Sequence, residues 1–206
     1  MENYAIIKSC ETKDDGTTYP CEWGPAGGTI PLDYYGPRLA KVIAVLKGLS
    51  DGTRSADPAA KHAIGSAGWG HTAVYGRYRE AGLDWDITVW HMYDQNPEWA
   101  FKIISQIGKP IWVTEFNNAL GSQRDGEDGQ AQGIAKTMKT LQDLRQKYNI
   151  EAAYIYELAD ESYWHPSYEA YMGVVKLDKT ATGGWQLGRR KAAFGTVKAL
   201  IDTSKP

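Results

Sequence analysis

Apolar and polar residues change their spacing repeatedly along this chain, and the changes mark out its elements. After Asp33, residues Leu39, Val42, Leu46 and Leu49 recur at helical spacing, and Lys47-Gly48 and Asp51-Gly52 predict the end of that helix. Ala63-Ile64-Gly65-Ser66-Ala67-Gly68-Trp69 reads as a strand of small residues, followed by a short helix over about 72–80. Asp84 to Tyr93 is rich in β-branched and aromatic residues and predicts a second strand. Asn96 is a good N-cap, Pro97 fits the first helical position, and Ala100, Ile103, Ile104 and Ile107 give the next helix one apolar face. Then Pro110 opens the run Ile111-Trp112-Val113, which ends in Thr114-Glu115. By period-two alternation Glu115 shares a face with Ile111 and Val113. A polar loop over 121–129 leads to a longer helix carrying Ile134, Met138, Leu141, Leu144 and Tyr148 on one stripe. Ala152 to Glu157 forms a fourth strand, Met172 to Leu177 a short extra one, and Phe194, Val197, Leu200 and Ile201 mark the last helix.

The order is helix, then strand and helix four times over. Such alternation predicts an α/β fold with a parallel sheet, in one domain spanning 1–206 and opened by a long loop over 1–31. Right-handed crossovers place the carboxyl ends of all the strands on one side. Trp69, His91, Tyr93, Glu115 and Glu157 are therefore expected to meet at one rim. In α/β folds that rim is where ligands and chemistry are placed.

Composition narrows the function. A formal net charge of −2 over 206 residues lacks the basic excess of a nucleic-acid binder. No apolar window reaches the ~18 residues of a membrane span, and the amino terminus carries no export-signal pattern, so the chain reads as soluble with no membrane partner. Eight Trp and thirteen Tyr against three Phe favour rings with a polar handle, which suits stacking on sugars. Cys10 and Cys21 flank a polar stretch with Asp14-Asp15-Gly16 at its middle. A disulfide closing that loop is expected to add roughly 3 kcal/mol and points to an oxidising, extracellular setting; two free thiols are the alternative.

A carboxylate at a strand end beside an imidazole and a phenol can act as a base, a nucleophile or a metal ligand. His62, His71, His91 and His165 are scattered without metal-ligand spacing, so no metal is expected. There is no Gly-x-Ser-x-Gly elbow for a serine hydrolase and no phosphate loop for a nucleotide, so no cofactor is expected either.

The succession Asp86-Ile87-Thr88-Val89-Trp90-His91-Met92-Tyr93, Pro110-Ile111-Trp112-Val113-Thr114-Glu115-Phe116 and Ala153-Tyr154-Ile155-Tyr156-Glu157 resembles strands six to eight of the large clan of (β/α)8 retaining glycoside hydrolases. Residues 63–69 would be strand five, and the resemblance covers about 33–201. It implies Glu115 as catalytic nucleophile, with His91 and Tyr93 beside it. Trp69, Trp90, Tyr156 and Trp164 become candidate stacking rings, and His71, Asn117 and Glu157 candidate polar contacts, for an oligo- or polysaccharide with β-linkages.

The match is incomplete in one respect. Retaining hydrolysis needs a second carboxyl group ~5–5.5 Å from the nucleophile. In the clan this acid is the Glu of an Asn-Glu pair ending strand four, and here Met1-Glu2-Asn3 has the two residue types reversed. Glu2 is the candidate substitute; Glu157, Asp160 and Glu161 are internal alternatives, read first as structural or sugar-contacting. A carboxyl-terminal half barrel of strands five to eight cannot close, so a homodimer is expected to cover its edges. The alternatives are a carbohydrate-binding or truncated half-barrel scaffold without catalysis, and an open-sheet α/β protein with some other ligand at the same rim.

Overall fold

The computed structural model describes residues 2–68, 70–93 and 96–203. Helix α1 spans Gly36–Ala56, and strand β1 (Ala63–Gly65) is followed by α2 (Val74–Glu80). Strand β2 (Ile87–Met92) precedes α3 (Glu98–Ile104), and β3 (Ile111–Phe116) precedes α4 (Gly126–Tyr148). Strand β4 (Ile150–Ile155) then leads to a hairpin of β5 (Val175–Lys179) and β6 (Trp185–Arg190) before α5 (Ala192–Thr203). The first four strands form one parallel sheet in the order β1-β2-β3-β4, and β5 pairs with β6 antiparallel in a sheet of their own. The α/β class and the strand-helix alternation are those expected.

The expected single domain divides into two compact units, Met1–His91 with Pro97–Trp112, and Met92–Asn96 with Val113–Pro206. In the first, Ile7, Tyr34, Leu39, Val42, Tyr75, Tyr78, Phe101, Ile104 and Ile111 are buried. The amino-terminal loop is tied into that core. Ile7 N–H donates to Asp33 O (2.8 Å), Tyr35 N–H to Ala5 O (2.7 Å), and Arg38 grips both Ile6 O (2.7 Å) and Glu11 (2.6 Å). Cys10 and Cys21 form a disulfide within it. Gly68 has a φ of +81°, and a Cβ there would collide with the carbonyl of His91, so a glycine is needed where the chain leaves β1 and crosses the end of β2.

Four features of the elements differ from expectation. α1 runs on through Gly48 and Gly52 to Ala56, where Asp57 N–H closes the last turn on Thr53 O and Pro58 follows; exposed glycines weaken a helix by about 1 kcal/mol each without stopping it. α3 buries Ala100, Phe101 and Ile104 and leaves Ile103 exposed, so its apolar face is rotated from the one anticipated. The whole of β6 is an addition, and β5 lies three residues further along than the extra strand predicted from Met172.

In the second unit, Val113, Phe116, Ile134, Leu141, Tyr148, Met172 and Val174 are buried, and α4 packs on α5. Gln130 is wholly buried and donates to Met172 O (2.9 Å) and Gly173 O (3.2 Å), fixing the segment after the rim loop to α4. Lys191 and Asp160 form a buried ion pair (2.9 Å), with Lys176 on the other carboxylate oxygen (3.0 Å) and Tyr171 O accepting from Lys191 (3.0 Å).

Candidate functional site

Strand β3 delivers Glu115 by a break in its own alternation. Ile111 and Val113 are buried and Trp112 and Thr114 half-buried, but the next buried residue is Phe116. Glu115 therefore does not continue the face of Ile111 and Val113, as strict alternation would have it, and it remains half-buried. On β2 the half-buried residues are Val89 and His91, followed by Tyr93, while Trp90 and Met92 are buried.

Within the second unit, Tyr93 donates its phenolic proton to Glu115 Oε2 at 2.9 Å. Burial, the Glu115 charge and this hydrogen bond all raise the Tyr93 pKa, so the phenol stays a donor at any ordinary pH. Tyr156 N–H pairs with Phe116 O (3.0 Å), which sets the end of β4 beside the end of β3. Burial pushes the Glu157 carboxyl up to about 7, and the charges of Glu161, Glu169, Asp160 and Glu115 add to the rise. Its Oε1 is buried and accepts no hydrogen bond from the described residues. The other internal carboxyls are committed: Asp160 to the two lysines, and Glu161 to the hydroxyls of Tyr163 (2.6 Å) and Tyr156 (3.5 Å). This part of the second unit thus holds one carboxylate fixed by a phenol and one carboxyl that is partly neutral near pH 7.

The remaining expected site residues fall into three groups. Trp164 is exposed and Tyr156 half-buried, so both rings can be reached from solvent. Two expected contacts are corrected. Trp90 is buried in the core because it lies on the opposite face of β2 from His91. Asn117 is buried as well, and its amide donates to Tyr156 O and to Met172 O (2.7 Å) while its Oδ1 accepts from Asn118 N–H (2.7 Å). It holds the rim together and has no free donor for a ligand. A cavity of about 60 Å³ lined by Tyr93, Asn117 and Thr137 is far below the ~300 Å³ of a small-molecule pocket. Trp69 lies outside the described residues.

His91, His71 and Glu2 belong to the first unit. Glu2 is 1% exposed, the reverse of a solvated terminal residue. Its Oε1 accepts from Ala67 N–H and lies 3.2 Å from His71 Nδ1. Burial alone would raise its pKa, yet the hydrogen bonds from His71 and Ala67 outweigh this and lower it to about 2. A carboxyl that stays ionised is an anchor for the loop after β1 and does not serve as a proton donor, and His71 is occupied by the same contact. Glu161 is one of the alternative acids expected from the sequence; Glu169 and Trp185 were not anticipated as neighbours of the site or of its rings, and for Glu169 the sequence signal is the density of Glu and Tyr over 154–171. Among the described residues no group of three or more His, Cys, Asp or Glu is placed to hold a metal ion.

No family model matches the chain, and no curated protein matches it. Solved structures do. A beta-glucosidase in its apo form is 14% identical with a TM-score of 0.55, over 82% of this chain and 50% of that one. A beta-glycosidase is 13% identical with a TM-score of 0.55, over 85% and 51%. A beta-glucuronidase from Bacteroides uniformis is 17% identical with a TM-score of 0.50, over 69% of this chain and 19% of that one. The chain therefore has a glycoside-hydrolase-like fold and spans about half the length, or less, of the structures it resembles.

Proposed function

We propose that this chain acts on β-linked glycans as a retaining glycoside hydrolase, with Glu115 as nucleophile. The observation that carries the reading is the Tyr93 phenol donating to Glu115 at the carboxyl end of β3, which orients the carboxylate. The Glu115 carboxylate attacks the anomeric carbon while the bond to the leaving oxygen breaks. Within the second unit the proton for that oxygen comes from Glu157, the carboxyl that retains one near neutrality. After departure of the aglycone, Glu157 takes a proton from the water that cleaves the glycosyl-enzyme. Tyr156 and Trp164 offer rings to the sugar.

The test is direct. Glu115→Gln abolishes turnover of an aryl glycoside, and a 2-fluoro glycoside with an activated leaving group labels Glu115 in intact protein. Full turnover by Glu115→Gln refutes the assignment. The second reading, a carbohydrate-binding scaffold without turnover, is favoured by the ionised state of Glu2. It predicts sugar binding with no label at Glu115 even from activated substrates.

A further inference from the structure

Two aromatic rings of the second unit that have no role in the site just described, Tyr163 and Trp185, extend the surface begun by Trp164. Tyr163 and Trp164 sit on a 3-10 turn, Ser162–Trp164, and Trp185 opens β6. Their ring centroids are 6.1 Å apart for Tyr163 and Trp164 and 5.9 Å apart for Tyr163 and Trp185. Each stays open to solvent, at 55%, 56% and 43% of its surface respectively. Rings of this size in mutual contact yet exposed form a contiguous apolar patch, which in a soluble protein marks a binding surface.

The patch is built to hold its shape. Ser162 donates to Leu177 O (2.8 Å), pinning the turn to β5, and Trp164 N–H donates to Glu161 O (2.8 Å). Glu161 is also the link to the catalytic rim: one carboxylate oxygen accepts from Tyr163 (2.6 Å) and the other from Tyr156 (3.5 Å), the residue next to Glu157. The patch is therefore continuous with the site. Two features select the occupant. Glu161 and Glu169, with Glu115 nearby, give the approach a negative potential that disfavours polyanions, whether nucleic acid or uronate chains. The rings are also inclined to one another, by 49° and 67°, so they cannot all lie flat on one crystalline face. A single chain that twists from one sugar to the next can meet them in turn.

We propose that Tyr163, Trp164 and Trp185 form a stacking platform for a single soluble, uncharged glycan chain, leading it to the Glu115 end of the sheet. This rests on the carbohydrate reading above and adds the form of the substrate: a polymer in solution, held beyond the scissile bond. Short aryl glycosides do not reach the platform.

Affinity electrophoresis of the full chain in gels containing soluble mixed-linkage β-glucan, glucomannan or xylan tests it. At least one of these uncharged polymers is expected to retard the protein. Trp185→Ala and Tyr163→Ala, each with an unchanged circular dichroism spectrum, should weaken that retardation at least about fivefold, the equivalent of about 1 kcal/mol of stacking. Trp185→Phe should keep most of it, which guards against a fold defect in the alanine variant. Retardation by none of the polymers, retardation unaffected by Trp185→Ala, or stronger binding to crystalline cellulose or polygalacturonate overturns the proposal. So does a concentration-dependent dimer that Trp185→Ala disperses, since the patch would then be covered by a second copy. Labelling of Glu115 is read separately. Retardation without labelling leaves the platform standing and removes the nucleophile, and labelling without retardation does the opposite.

Discussion

Two glutamates show how the same side chain takes opposite roles in opposite surroundings. Glu2 receives an amide N–H and faces His71, so the folded chain favours its charge. Its contribution to stability is present at neutral pH and is lost as pH falls from the ordinary value of 4.5 towards about 2. Glu2→Gln, which leaves His71 without its buried partner, is expected to cost about 3 kcal/mol in urea unfolding at pH 7. Glu157 has the reverse sign. Its folded pKa of about 7 lies above the ordinary 4.5, so between those values the native state holds more protons than the unfolded one. Stability therefore falls as pH rises through that window. Glu157→Gln should flatten the decline, seen as a smaller drop in Tm between pH 5 and pH 8 than in the parent protein. For catalysis, the same substitution should lower kcat/KM on unactivated glycosides by about 10²–10⁴. It should spare activated leaving groups and remove the limb of the pH profile near 7. A parent profile with no such limb would take the acid role away from Glu157.

At the scale of elements, the last crossover departs most from a plain strand-helix unit, and one ion pair fastens its inserted hairpin. Lys191 joins the end of β6 to Asp160 in the rim loop, with both side chains buried. Lys191→Met leaves a buried carboxylate with only the partly exposed Lys176, and is expected to cost about 3–5 kcal/mol. Chemical denaturation measures this; a change under 1 kcal/mol would mean that the hairpin is held by other contacts. How much of these elements is legible in the sequence follows from how each is buried. β3 is plain because Pro110 opens it and Ile111-Trp112-Val113 is a run only a covered strand carries. β6 is invisible to the same reasoning because, apart from Gly188, all its side chains are exposed, which leaves no alternation to find. Trp90 and His91 show a further limit: a strand with large residues on both faces does not reveal which face is closed. The Glu2–His71 contact spans 69 residues of sequence, and Asn117 is occupied by carbonyls up to 55 residues away, so no local pattern foretells either.

For the molecule as a whole, the open question is what the two terminal strands of the sheet do. β1 is three residues long, but β4 offers six, and it ends the order β1-β2-β3-β4 among the described residues. Tyr156 N–H points to β3, so by alternation Tyr154 and Ala152 point inward and Ala153 and Ile155 turn their N–H groups to the outer edge. A terminal strand of this length is a template for another strand. We propose that a second copy of the chain pairs there, giving a homodimer. Sedimentation equilibrium at micromolar concentration should report twice the chain mass. Ala153→Pro removes an outward N–H while leaving the inward ladder to β3 intact, so it should yield a folded monomer. The Cys10–Cys21 disulfide supplies a control on the same measurement, because it lies in the first unit, remote in sequence from β4. Cys10→Ser/Cys21→Ser should lower stability by roughly 3 kcal/mol through the freed loop and leave the mass unchanged. A compact monomer for the parent chain would sink the dimer, and the edge of β4 would then be left to a partner other than a second copy.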